Sequence, residues 1–250
     1  MTAMVVLNRA RDVVARACRV AGRALRGRGQ SQDKAVNELA YWRERKRIEG
    51  DLRNDHYVEF YTSHFGLEPG FYRGKRILDV GCGPRGSLEW ADMAAERVGL
   101  DPLAAEYRTL GMAAHKMTYS PAASEAIPFP SGHFDVVSAF NSLDHVDDAR
   151  VTAREIIRVL KPRGFFLLLT ELNHHATVCE PQEFSWDVVR MFAPPLDVVE
   201  ERHYEMSVPG IYQSIVANVR YDHTDRRHRG GILSAKFRKP VGARSEVGSF

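Results

Sequence analysis

Cysteine is scarce in this chain, with Cys18, Cys82 and Cys179 the only three among 250 residues. Their number is odd and no two form a C-x-x-C pair, so a disulfide scaffold is excluded. Reduced thiols in a cytosol-like, cytoplasmic setting are expected. No stretch of roughly 18 apolar residues exists, so no membrane-spanning helix is expected. Bias toward low hydrophobicity or one sign of charge is also missing. Apolar residues make up 44% and charged residues 27%, which excludes wholesale disorder and a collagen-like chain. What remains is a length suited to one α/β domain with short appendages.

The net charge of +3 is unevenly spread. Residues 1–30 hold seven Arg against one Asp, a surplus of six, which leaves the other 220 residues at −3. A mildly acidic body argues against a nucleic-acid groove, and no nucleic-acid partner is expected. At about 100° per residue, Leu7, Ala10, Val14, Ala17, Cys18, Ala21 and Leu25 share one face of this basic amphipathic leader. Arg9, Arg16, Arg19, Arg23 and Arg26 share the other. Such a helix can make peripheral membrane contact, act as a transit peptide, or be a plain basic extension.

Residues 31–75 read as a helical cap rich in charge and aromatics. The run Arg43-Glu44-Arg45-Lys46-Arg47 suits a solvated helix face, and Tyr57, Phe60, Tyr61 and Phe65 suit a core more than a ligand cage. From 76 the pattern changes. Ile77-Leu78-Asp79-Val80 reads as a strand, Gly81-Cys82-Gly83-Pro84-Arg85-Gly86 as a tight loop, and 87–97 as a helix. Glycines there permit a tight turn and let a ligand approach the backbone. Arg97-Val98-Gly99-Leu100-Asp101 reads as a second strand, its acid 20 residues past the first glycine, where a carboxylate can accept ribose hydroxyls. Asp79 stands where a dinucleotide site normally has an apolar residue. Its charge opposes a pyrophosphate and favours a cation.

These motifs resemble the class I S-adenosylmethionine-dependent methyltransferases. The likeness begins at Ile77-Leu78-Asp79-Val80-Gly81-Cys82-Gly83-Pro84 and continues through Gly99-Leu100-Asp101-Pro102 and Ile127-Pro128-Phe129. It then runs through Phe134-Asp135-Val136-Val137, Ser142-Leu143-Asp144-His145-Val146 and Arg158-Val159-Leu160-Lys161-Pro162, covering roughly 75–175. The resemblance implies S-adenosylmethionine as cofactor. It implies Gly81, Cys82 and Gly83 beside the methionine and ribose, Asp79 toward the amino group, Asp101 on the ribose and Pro102 by the adenine. Glu125 and Ala126 are implied along the adenine edge, and Asn141 at the junction with the acceptor. Two positions depart from the pattern. Ala123 replaces an Asp, and Arg163 occupies a turn usually written with glycine.

The expected fold is α/β, a Rossmann-like seven-stranded sheet, mostly parallel, with helices on both faces. Strands are read near 76–80, 97–101, 116–119, 134–140 and 165–171, with helices at 87–97, 103–111 and 148–160. An antiparallel C-terminal hairpin at 196–206 and 211–221 completes a domain spanning 76–221, and 222–250 reads as a flexible tail. The expected activity is methyl transfer to a small-molecule acceptor, with oxygen favoured. A cofactor-binding assembly or regulatory protein without turnover is the alternative, and a nicotinamide-dependent oxidoreductase is a third reading. Asn141 is followed by Ser142-Leu143, so the Asn-Pro-Pro-aromatic signature of some amide and nucleobase N-methyltransferases is absent. His145 is the candidate catalytic base by position, against a bland reading as a helix-start histidine satisfied by neighbouring acids. His174, His175 and Cys179 match no zinc spacing, and no metal is expected.

Overall fold

The computed structural model describes residues 29–242. The leader's residues 1–28 and the end of the chain, 243–250, lie outside the described residues, and the expectations for them rest on sequence. Among the described residues no helix is long and apolar enough to cross a membrane.

Seven strands form one sheet: β1 (Arg76–Val80), β2 (Glu96–Leu100), β3 (Thr118–Ser120), β4 (Phe134–Phe140), β5 (Leu160–Leu172), β6 (Asp197–Glu205) and β7 (Gly231–Arg238). Their order is β3-β2-β1-β4-β5-β7-β6. The β1 to β5 pairings are parallel, and β7 lies antiparallel between β5 and β6. A sheet of this type, buried on both faces, explains why β1 and β4 read as nearly continuous apolar runs. With β1 between β2 and β4, chain direction places the switch point at the carboxyl ends of β1 and β4, where such sheets bind ligands.

Alternate residues of each strand feed two cores. On one face Leu78, Val80, Val137, Ala139 and Leu168 pack with Ala149, Ala153 and Ile156 of a helix, Ala149–Val159. That helix starts where Asp148 accepts the N–H groups of Arg150 and Val151 at 2.9 and 3.0 Å, the N-cap bonds its sequence affords. On the other face Ile77, Val136, Leu167 and Ile232 pack with Phe60, Tyr61, Phe65 and Tyr72. In chain order the helices are α1 (Gly29–Glu49), α2 (Val58–Tyr61), α3 (Ala149–Val159) and α4 (Ile211–Ala217). The cap of 31–75 is therefore helical in α1 and becomes short turns afterward, and its aromatics form half of the sheet's cover.

Four expectations change, the first at 103–111, where turns lead into the short 3₁₀ helix Glu106–Leu110 in place of the α-helix expected. The helix read at 87–97 is a series of tight turns, with N–H groups bonding three residues back, as in Ala91 to Leu88 and Ala94 to Ala91. The apolar spacing Leu88, Ala91, Ala94 matches three residues per turn as well as it matches an α-helix. The segment read as a strand at 211–221 forms α4, where Ile211, Ser214 and Ile215 make a buried helical stripe. Its β-branched residues mimic a strand, but their spacing is helical. The hairpin's second strand is β7, inside the stretch read as a tail, where Ile232, Leu233, Ala235 and Phe237 are fully buried. Residues 222–230 are tied down too, by Arg229 pairing with Glu205 at 2.7 Å.

Arg163 takes the left-handed conformation, φ +65°, near the start of β5, before its regular pairing with β4 resumes at Phe165. This costs about 1–2 kcal/mol for a residue other than glycine. Its N–H donates to Lys239 O at 2.7 Å, so the strained turn is held by the chain segment after β7.

Candidate functional site

The loop after β1 is shaped by what surrounds it. Gly81 has φ +70°, and a Cβ there would fall 2.3 Å from the Cβ of Ser142. Ser142 in turn donates to Val80 O at 2.7 Å, which locks the β4 exit onto the end of β1. Gly83 lies under the indole of Trp42 on α1, 3.0 Å from where its Cβ would be. Arg85 anchors α1 over the loop with two bonds to Glu49, 2.7 and 2.8 Å, and stands 5.3 Å over the Trp42 ring. The loop thus has a floor, Ser142, and a roof, Trp42.

Two carboxylates flank it. Asp79 is buried in register between Gly99 of β2 and Ser138 of β4. Ser138 Oγ donates to Asp79 Oδ1 at 2.6 Å, and Tyr61 OH to Oδ2 at 3.3 Å. Gly99 offers no side chain, and Cys82 Sγ fills the space, 2.6 Å from a Cβ that Gly99 lacks. Asp101 is buried at the end of β2, with Oδ2 accepting Gly83 N at 3.1 Å and Oδ1 accepting Leu103 N at 2.9 Å. Burial raises the pKa of each acid to about 6, against the hydrogen bonds that lower it. Among the described residues no basic side chain pairs with either of them.

The remaining candidates separate. Asn141 holds φ +53° at the end of β4, and its buried Oδ1 has no hydrogen-bond partner. Backbone strain and an unsatisfied polar atom coincide there, as at sites awaiting a ligand. Pro102 is exposed beside Asp101. Glu125 is engaged elsewhere, because its Oε1 accepts the N–H groups of Asp147 and Asp148 at 2.8 and 3.0 Å ahead of α3. That engages one oxygen of the carboxylate expected along the adenine edge, in the Ser124–Ala126 turn.

His145 is not poised as a base. Its Nδ1 lies 3.0 Å from Glu38 Oε1 on α1, and its Nε2 lies 4.0 Å from Glu180 Oε1. Burial lowers its pKa, but the carboxylates of Asp144, Glu38 and Glu180 more than reverse this and raise it to about 10. The flanking carboxylates thus favour the protonated imidazole, which donates rather than accepts hydrogen bonds. Sequence reasoning missed Glu38, Trp42, Tyr61 and Ser138. Tyr61 reads as a core aromatic in the sequence, where no motif marks Trp42. Nothing local marks Glu38, which lies 107 residues from the histidine it meets.

Residues 78–168 match a family model described as a methyltransferase domain. Over 122 residues the chain is 30% identical to the chloroplastic tocopherol O-methyltransferase of Arabidopsis thaliana, covering 45% of this chain and 35% of that protein. Over 102 residues it is 36% identical to a malonyl-acyl-carrier-protein O-methyltransferase of Enterobacter lignolyticus, covering 39% of each. The matched stretch thus spans little more than a third of these relatives. A solved structure from Bacillus halodurans, of a protein provisionally called a methyltransferase, superposes with TM-score 0.55 at 16% identity, covering 74% of this chain and 98% of that one. At that identity the likeness concerns the fold.

Proposed function

We propose, from the premise that residues 78–168 are a methyltransferase domain of the class I S-adenosylmethionine-dependent family, that this protein moves a methyl group from that cofactor to a small-molecule acceptor. Oxygen is the favoured acceptor atom, in keeping with the two relatives named above. The observation that carries the reading is the pair of buried acids, Asp79 and Asp101, on either side of a glycine loop and, among the described residues, in no ion pair with a basic side chain. A phosphate-bearing dinucleotide would meet repulsion at Asp79. A donor with an ammonium and a sulfonium, and with ribose hydroxyls, complements both acids.

The residues that would hold the cofactor follow from their positions. Asp79 would face the amino group, Asp101 the ribose hydroxyls, and the backbone from Gly81 to Gly83 the link between them. Asn141 Oδ1 offers an unsatisfied acceptor where β4 ends. When bound, the cofactor supplies an electrophilic methyl group on sulfur. The protein's part is positioning and water exclusion, with Trp42 and Tyr61 covering the site and no covalent intermediate required. The charged state of His145 removes it from proton abstraction in this arrangement.

The test is transfer of label from methyl-labelled S-adenosylmethionine to small-molecule extracts, alongside calorimetry with that cofactor and with reduced nicotinamide dinucleotide. Labelled small-molecule product and binding of the sulfonium donor alone are expected. Donor binding without labelled product in any extract would overturn the catalytic reading in favour of a binding protein. Preferential binding of the dinucleotide would overturn the cofactor assignment.

A further inference from the structure

Beyond the cofactor loop, the turn after β4 and the loop after β5 bring together groups that the proposed transfer does not use. Asp144, His145 and Glu180 each present a ligand atom, and these atoms lie within 4.8 Å of one another. His174 joins them, its Nε2 3.5 Å from Asp144 Oδ2. Asp144 is only 2% exposed, yet its Oδ1 has no hydrogen-bond partner, and neither does the buried Nε2 of His174. The buried carboxylate oxygen Oδ1, left without a partner beside an imidazole nitrogen held only by a long 3.5 Å contact, is costly unless something binds there.

The outer contacts specify how these donors point. Each histidine uses Nδ1 on an acceptor, His145 toward Glu38 Oε1 at 3.0 Å and His174 toward the carbonyl of His175 at 3.2 Å. In both cases Nε2 is left toward the acids, where a divalent metal would take the place of the proton that these acids favour and release it to solvent. A carboxylate or carbonyl on the far nitrogen is the arrangement that fixes tautomer and ring orientation in metal-ligating histidines. Glu180 is aimed likewise. Its Oε2 is taken by Thr177 Oγ1 at 3.3 Å, which leaves Oε1 facing His145. Metal–ligand bonds of about 2.0–2.2 Å require donors to close by roughly an ångström, within reach of side-chain rotation.

We infer that Asp144, His145 and Glu180, with His174 as a fourth donor, form a divalent transition-metal site oriented from outside by Glu38. Two imidazoles with two carboxylates suit zinc, cobalt or manganese better than magnesium or calcium. His174 was discounted in the sequence because it was grouped with His175 and Cys179. The fold gives it different partners, 30 residues upstream at Asp144. The site lies three residues past Asn141, on the rim where the acceptor is placed by the proposed function. Metal binding itself does not depend on that function.

The test uses the untagged full chain without S-adenosylmethionine. Zinc is followed by calorimetry, and cobalt by its visible absorption. One equivalent of each metal is expected, with cobalt bands of a nitrogen–oxygen site. Glu180→Gln and Asp144→Asn should weaken binding at least tenfold, and Glu38→Gln by about 10- to 100-fold through loss of orientation. Near-ultraviolet circular dichroism checks that each variant is folded, and the partly exposed Glu180 gives an informative variant should Asp144→Asn unfold. His223→Gln, which alters the separate His203–His223 contact at 2.7 Å, should leave affinity unchanged. No binding by the wild type would overturn the inference. So would unchanged binding in folded Glu180→Gln, or loss confined to His223→Gln. Because the donor is absent, failure here leaves the methyl-transfer reading intact, and failure of that reading leaves the metal result standing.

Discussion

Acids gather at two places on the same rim of the sheet, and they are treated in opposite ways. Beside the glycine loop, Asp79 and Asp101 are buried against hydroxyl and backbone donors, and burial lifts both to about 6. After β4, burial also opposes the charge of Asp144, but His145 and His174 outweigh it and hold its carboxyl below the ordinary range. Neither acid of the first pair is in an ion pair among the described residues, and the charge of His145 acts on Asp101 only weakly beside the burial that opposes it. The second brings imidazoles of its own, in the pattern of a metal site. Acid content alone therefore says little about a site. The identity of the partners decides what the acids can bind.

The strongest perturbation of the first region is steric. Gly81→Ala adds a Cβ against Ser142 in a left-handed conformation. A loss of about 2–4 kcal/mol of stability is expected from strain and overpacking together, measured by chemical denaturation. At Gly132, also left-handed but with open space around it, alanine should cost only about 1–2 kcal/mol. Equal losses would mean that Ser142 does not close the loop.

Asp101→Ala should weaken cofactor binding by about 1.5–3 kcal/mol through lost charge-assisted hydrogen bonds, read by calorimetry. Unchanged affinity would remove Asp101 from the ribose. A smaller effect comes from pH. Asp79 and Asp101 take up protons as pH falls through about 6, so affinity for a cationic donor should fall there, by at most about tenfold per pH unit for each acid. Stability of the unliganded protein runs the other way. A carboxyl raised above its unfolded value stabilises fully below the ordinary aspartate range and loses that contribution as pH rises through about 6. Parallel trends in affinity and stability would contradict the assignment. Smallest of all, Glu180→Gln should change cofactor affinity by no more than about 0.5 kcal/mol, the usual range for a change outside the contacts concerned. A large loss would merge the two regions into one site.

The cofactor loop was legible because its signals are local. Strand, glycines and both acids fall between Ile77 and Asp101, and their meaning depends on spacing. Arg163 was legible as a departure, and the turn indeed takes the strained conformation. The second region was not legible, because it depends on packing across the chain. Glu38 reaches His145 only because α1 is pinned to the loop by Arg85 and Trp42, and Glu180 arrives through a long loop. The bonds of Glu125 Oε1 to Asp147 and Asp148 were not legible, because the helix-start geometry that makes them appears only once α3 is placed. β7 hid in an Arg- and Gly-rich stretch, its six buried residues too few to stand out against the flanking charge.

The central claim is that two buried acids, Asp79 and Asp101, hold a phosphate-free cationic donor at the loop after β1. Titrating the full chain with S-adenosylmethionine by calorimetry at pH values above and below about 6 tests it most directly. One binding event that weakens on the acid side is the predicted result. Absence of binding at either pH, or binding of equal strength at both, would contradict it.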